Sequence, residues 1–163
     1  MPSIVELRRA VTETLWVLRK ASEQWAAHSC PGSSECCQLS TTKLEPWLWP
    51  SEWEVVLDEL KKQNRSLPSP RADGGCPLLD PGGRRCTVYD ARPFGCRTFF
   101  CHRITGPAKQ PVTRTNELLE RLSAINVSLD AASNPRSISL WFAAAKPSPS
   151  LKPEQNAGAR ARD

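Results

Sequence analysis

The 163-residue sequence contains no long unbroken run of apolar residues. Residues 1–9 mix apolar with polar and charged side chains, and no apolar stretch follows them. A membrane-spanning helix needs about 20 apolar residues in succession, and a secretory signal needs a shorter apolar core behind a basic start. We therefore expect neither, and we expect a soluble protein of the cytoplasm.

The basic residues do not form the pattern of a nucleic-acid-binding surface. The formal net charge is +5, from 22 Lys and Arg against 17 Asp and Glu. No basic stripe is interleaved with aromatic residues, as nucleic-acid recognition requires. We therefore expect a protein partner rather than a nucleic acid, and we expect no membrane partner.

The sequence also lacks a glycine-rich turn between a strand and a helix, which a nucleotide-like cofactor would need. The pairs Gly74-Gly75 and Gly82-Gly83 have no such context and are typical of simple turns. This argues against an enzyme that binds such a cofactor.

What the sequence does contain is a set of seven cysteines in two tight groups. They are Cys30, Cys36 and Cys37, then Cys76, Cys86, Cys96 and Cys101. In a reducing compartment, clustered cysteines hold a metal or an iron–sulfur centre more often than they pair as disulfides, and an odd number leaves one unpaired. We interpret all seven as candidate metal ligands, while a disulfide framework and ordinary buried thiols stay as alternatives.

The number of sites is open. His28 lies near the first group and His102 directly follows Cys101, so seven cysteines and one histidine would fill two tetrahedral sites. Neighbouring side chains tend to point apart, so we expect only one of Cys36 and Cys37 to be a ligand of a given metal. Arg92 and Arg97 bracket Cys96, and we expect both to support the negative charge of the centre.

Apolar residues recur with helical spacing in three segments. Residues 3–28 begin with a capping box at Ser3 and Glu6. Their apolar stripe consists of Ile4, Leu7, Val11, Leu15, Leu18 and Trp25. A second capping box at 51–54 predicts a helix to about residue 63, and a third helix covers 113–129. We expect the acidic residues of the second helix to form its solvated face; they are Glu52, Glu54, Asp58 and Glu59.

Residues 76–89 predict a β-hairpin around the turn-forming sequence 80–83, which would bring Cys76 and Cys86 close together. Pro93 predicts the start of a short helical turn that carries Cys96.

The fold class we expect is mainly α. It would be one small domain over 1–145 with about three helices, a short β-hairpin and irregular cysteine-rich loops, followed by a disordered tail over 146–163.

The cysteine segments resemble the YkgJ-like family of zinc- or iron-chelating domains, which is named for a CxxCxxCC motif. Residues 30–37 have that spacing, with Ser33 in place of the second cysteine, and 76–97 are similar to the family's second signature. Cys101 lies just beyond it. The resemblance implies six ligands, which are Cys30, Cys36, Cys37, Cys76, Cys86 and Cys96. The family also includes the domain of flagellin lysine N-methylases.

The leading functional hypothesis is a metal-binding protein that coordinates an iron–sulfur cluster through cysteines from both segments. Its role would be structural, or one of electron transfer as an accessory to another protein. The alternatives are a zinc-binding structural domain, a lysine N-methylase-like enzyme, and a thiol redox sensor.

Overall fold

The computed structural model describes residues 2–26, 34–98 and 112–145, and these form a mainly helical fold. Three long helices predominate: α1 at Ile4–Gln24, α3 at Pro50–Lys62 and α5 at Val112–Leu129. The shorter elements are α2 at Leu39–Thr42, α4 at Phe94–Thr98, α6 at Ile138–Ala144, and 3₁₀ turns at Glu35–Cys37 and Tyr89–Ala91. The predicted fold class is confirmed. The predicted tail, 146–163, lies outside the described residues.

Helix α1 begins as its capping residues predict. The Ser3 backbone N–H donates to Glu6 Oε2 at 2.7 Å, and the Glu6 N–H donates to Ser3 Oγ at 3.3 Å. The helix packs against α5, α3 and α4. Its buried residues are Ala10, Thr14, Val17, Leu18 and Ala21. The predicted stripe is therefore partly wrong, because Ile4 is 68 % exposed and Leu15 is 44 % exposed.

Helix α3 begins two residues earlier than the sequence pattern predicts. Trp49 is the capping residue, Pro50 is the first helical residue, and the Trp49 N–H donates to Glu52 Oε2 at 2.8 Å. Proline suits the first helical position because the backbone N–H it lacks would have no helical partner there. Ser51 is therefore inside the helix rather than its cap, and it is fully buried.

A buried hydrogen-bond network joins the three long helices at Ser51. Thr14 Oγ1 of α1 donates to Ser51 Oγ at 2.8 Å, and Asn126 Nδ2 of α5 donates to the same oxygen at 2.9 Å. The Ser51 N–H donates to Asn126 Oδ1 at 3.0 Å, which satisfies a donor that the start of α3 leaves unpaired. These bonds fix how the helices meet.

The two-stranded sheet joins residues far apart in the chain. Strand β1, Trp47–Leu48, pairs antiparallel with β2, Arg136–Ser137, and Trp47 lies opposite Ser137. Helix α6 follows β2 directly and packs its Trp141 and Phe142 rings on Trp53, at centroid distances of 5.6 Å and 5.1 Å. This closes the core over α3.

The predicted hairpin at 76–89 is present as a turn with one antiparallel bridge, Leu79 to Cys86, rather than as two strands. The Gly83 N–H donates to the Asp80 carbonyl at 2.8 Å, so Pro81 and Gly82 are the central turn residues. None of the helices in the described ranges is long and apolar enough to cross a membrane.

Candidate metal centre

Five cysteines from the two cysteine groups line one cavity of about 910 Å³. They are Cys36 and Cys37 from the first group, and Cys76, Cys86 and Cys96 from the second. None of these five forms a disulfide. The remaining candidates, Cys30 and Cys101, lie outside the described residues, as do His28 and His102. The fold therefore brings members of both cysteine groups to the same cavity.

Backbone hydrogen bonds attach the first cysteine loop to the second. The Cys76 N–H donates to the Cys37 carbonyl at 2.8 Å. Three residues further along, the Ser40 N–H donates to the Gly74 carbonyl at 3.1 Å. Gly74 has φ +68°, a conformation that glycine adopts without strain. The position of Cys37 relative to Cys76 is thus set by the main chain.

Arg71 stabilises the second loop before Cys76. Its guanidinium contacts Asp73 Oδ2 at 2.7 Å and also donates to the Asp80 carbonyl at 2.7 Å. The Gly75 N–H donates to Asp73 Oδ1 at 2.9 Å. The Arg71 hydrogen bond is the main reason that the pKa of Asp73 falls to about 2. Sequence reasoning missed this pair, because spacing alone does not show which exposed charges meet.

The adjacent thiols of Cys36 and Cys37 lie close together, with their sulfur atoms 3.9 Å apart. The expectation that these neighbouring side chains point apart is therefore wrong; the 3₁₀ turn at Glu35–Cys37 places both on the cavity wall. Their hydrogen bond lowers the pKa of Cys36 to about 6 and raises that of Cys37. The pair thus releases one proton readily and retains the other.

Burial raises the pKa of each of the other three thiols. The pKa of Cys76 rises to about 12, and those of Cys86 and Cys96 also rise. Repulsion from neighbouring thiolates adds to the rise in the pKa of Cys76 and Cys96. A bound metal cation would offset the cost of burying the negatively charged thiolates, and it would also reduce the repulsion between them.

The described sulfurs are nevertheless spread around the cavity. Within residues 2–26, 34–98 and 112–145, no three Cys, His, Asp or Glu side chains are spaced to hold one metal ion. The cavity thus gathers thiol donors of both segments without presenting a closed single-ion shell.

The two predicted arginines have different positions. Arg92 lines the cavity and lies over the Tyr89 ring at 3.6 Å. Its positive charge adds to the fall in the pKa of Cys36 that the Cys37 hydrogen bond causes, and it opposes the rise in pKa that burial causes at Cys86 and Cys96. Arg97 is buried and donates to Ser22 Oγ at 2.6 Å, to the Arg92 carbonyl at 2.6 Å and to the Asp90 carbonyl. Arg92 thus faces the thiols, whereas Arg97 holds the chain that leads into α4.

Glu52 is a site residue that sequence reasoning missed. The expectation that it belongs to a solvated face is wrong, because it is 1 % exposed and lines the cavity. Its Oε1 accepts from the Phe94 N–H at 2.6 Å, while Oε2 caps α3 at Trp49. Burial raises its pKa to about 7. Pro50 could have indicated this role from the sequence. Proline favours the first helical position, and Glu52 is then the third helical residue, whose carboxylate caps the helix.

A mainly helical domain with cysteines of two segments around one cavity defines the class of small cysteine-based metal-binding domains. The family model described as CxxCxxCC, "Putative zinc- or iron-chelating domain", matches residues 27–120, and the chain belongs to this family. Comparison with curated proteins and with solved structures gave no match. The family therefore indicates zinc or iron and leaves the choice between them to the chemistry of the site.

Proposed function

We propose that the protein holds an iron–sulfur cluster through cysteines of both segments. The observation that carries this proposal is the shared cavity, in which Cys36 and Cys37 meet Cys76, Cys86 and Cys96. The hydrogen bond from Cys76 to Cys37 supports it, because it ties the two segments together at the cavity wall. Cys30 and Cys101 stay further candidate ligands from the sequence.

The donor set fits the cluster chemically. Thiolates are soft ligands that select zinc and iron–sulfur centres, and a cluster takes four of them. Each cysteine binds a separate iron of a four-iron cluster, so sulfurs spread around a cavity suit a cluster better than a single ion. Arg92 would offset part of the negative charge of the loaded site. The chemistry that a bound cluster supplies is one-electron transfer.

One distance favours zinc as a second candidate. Tetrahedral coordination with Zn–S bonds of ~2.3 Å places sulfurs ~3.8 Å apart. The Cys36 and Cys37 sulfurs, at 3.9 Å, match that edge. A zinc ion on this pair would need two further ligands, and the site would then be structural rather than redox-active.

The surroundings of the cavity support an accessory role beside another protein. Trp47 is 59 % exposed and Tyr89 is 49 % exposed, and both line the cavity. Aromatic side chains and arginine are enriched in protein interfaces, and Arg92 stacks on Tyr89 here. A partner that docks on this rim would lie next to the metal centre.

Anaerobic preparation followed by metal analysis tests the proposal. Protein reconstituted with iron and sulfide should retain both and show broad visible absorption that fades in air. A colourless protein that contains stoichiometric zinc would contradict the cluster and support the structural zinc site instead. Retention of neither metal would contradict both. A matched sample in which Cys36, Cys37, Cys76, Cys86 and Cys96 are all serine controls for iron that binds elsewhere.

A further inference from the structure

Two buried charged residues hold the short segment that presents Cys96 to the cavity. On one side, Glu52 Oε1 of α3 accepts the Phe94 N–H at 2.6 Å. On the other, Arg97 donates to the carbonyls of Asp90 and Arg92. The main chain of segment 90–97 is therefore bound by Glu52 of α3 and braced internally by its own Arg97.

Glu52 is unusual because both of its oxygens bind main-chain donors of different elements. Oε2 accepts from Trp49 at the start of α3, and Oε1 accepts from Phe94 at the start of α4. The carboxyl group is fully buried and lies close enough to Arg97 for the guanidinium to favour its charged form. Burying a carboxyl group costs free energy unless its oxygens accept hydrogen bonds. The cap of α3 uses only Oε2, and Oε1 bonds to α4.

Helix α4 is too short to fix Cys96 by its own stability. It is five residues long, and an isolated helix of that length is not stable in water. It does pack against α1, where Arg97 Nη1 donates to Ser22 Oγ at 2.6 Å. Cys96 lies two residues after Phe94, so a shift of the Phe94 backbone would move the Cys96 sulfur relative to the other thiols.

We propose that Glu52 is a positioning residue of the metal centre, which sets the Cys96 ligand by holding the Phe94 N–H. The proposal rests on the proposed function, since it assigns Cys96 to the bound metal or cluster. We assign Glu52 to the backbone rather than to the metal, since each of its oxygens already accepts a main-chain hydrogen bond. It acts through the backbone of α4.

The rate of metal release from the full-length protein tests this proposal. We would load wild type, E52Q, C96S and E52Q/C96S anaerobically and follow release to a chelator. Loss of a residue that orients a metal ligand typically weakens metal binding about 10- to 100-fold. E52Q should therefore release its metal about 10- to 100-fold faster than wild type. E54Q is the matched control, because Glu54 lies on the same helix away from the cavity wall and should leave the rate unchanged.

The double variant separates positioning from general stability. If Glu52 acts through Cys96, E52Q/C96S should release metal no faster than C96S, because the ligand that Glu52 orients is already gone. Multiplied effects of the two changes would overturn the proposal, and so would wild-type release from E52Q. The absorption spectrum of loaded E52Q should also resemble that of C96S more than that of wild type.

Hydrogen exchange in wild type keeps the proposal testable if E52Q does not fold. The Phe94 amide should exchange slowly even in metal-free protein, because its hydrogen bond to buried Glu52 does not involve metal. Rapid exchange at Phe94 would overturn the proposal. Failure of wild type to bind either metal, with Phe94 protected, would instead contradict the proposed function.

Discussion

The backbone N–H of Cys76 donates a 2.8 Å hydrogen bond to the carbonyl oxygen of Cys37. The two residues are far apart in the sequence, and each belongs to a different cysteine group. Because the bond is between main-chain atoms, the side chains do not have to form it and stay available to a ligand. The two halves of the candidate centre are thus joined by the fold itself.

Substitution of Gly74 should loosen this junction. A Cβ at position 74 would lie 2.8 Å from Ser40 Cβ, and φ +68° is strained for any other residue. G74A should lower the free energy of unfolding of the metal-free protein by about 1–3 kcal/mol, measured by denaturant titration. G82A is the matched control, since a Cβ there meets its nearest neighbour at 3.5 Å without a positive φ. Equal stability of G74A and wild type would contradict the junction described here.

Removal of the Asn126 side chain should cost more than its size suggests. N126A leaves the fully buried Ser51 N–H without its acceptor and removes one of the two donors to Ser51 Oγ, the other being Thr14 Oγ1. An unsatisfied buried group costs about 1–3 kcal/mol, so the unfolding free energy should fall by at least that amount. N134A changes an exposed asparagine whose side chain donates to the nearby Ala132 carbonyl, and it should have little effect. Comparable losses in the two variants would contradict the role of this network.

Glu52 should make stability depend on pH. Its pKa is about 7 in the folded protein and 4.5 in its ordinary state, so between these values the folded state binds more protons than the unfolded state. Stability should therefore fall as pH rises from 4.5 to 7, by about 3 kcal/mol at most. E52Q removes this contribution and leaves those of the thiols unchanged. The difference between wild type and E52Q, measured by urea unfolding across this range, should show that slope; a flat difference would contradict it.

Arg92 and Arg97 should differ in what they support. R97K cannot make the three separate hydrogen bonds of the buried guanidinium, and the loss of hydrogen bonds to a charged group costs about 1.5–3 kcal/mol each. R97K should thus lower the melting temperature of the metal-free protein. R92Q removes the positive charge beside the thiols and should leave melting unchanged while lowering the reduction potential of the loaded centre. An unchanged melting temperature for the Arg97 variant, or a lowered melting temperature with an unchanged reduction potential for the Arg92 variant, would contradict these assignments.

Much of the helical framework could be predicted from the sequence. The three long helices follow from apolar spacing, and Ser3 and Glu6 mark the first helix start. The buried face of α1 was harder to predict, because Ala10, Thr14 and Ala21 carry little apolar signal and yet lie at the interface. The β1–β2 pairing joins residues about 90 positions apart, and strands of two residues have no periodicity to detect.

The composition of the site was easier to predict than its geometry. Cysteine is rare enough that grouping alone marks candidates, and five of them share the cavity. The roles of Glu52 and Arg97 depend on backbone groups that only the folded chain brings near. Spacing therefore identified Arg97 as a neighbour of Cys96 but not its bonds to the Asp90 and Arg92 carbonyls.

The most direct test of a centre shared by both cysteine segments is the metal content of two matched double variants. C36S/C37S removes the described thiols of the first segment, and C76S/C86S removes two from the second. Each is reconstituted anaerobically beside wild type and analysed for iron, sulfide and zinc per chain. A shared centre predicts that both variants lose all the metal that wild type retains. Retention of half or more of it by either variant would contradict the shared centre.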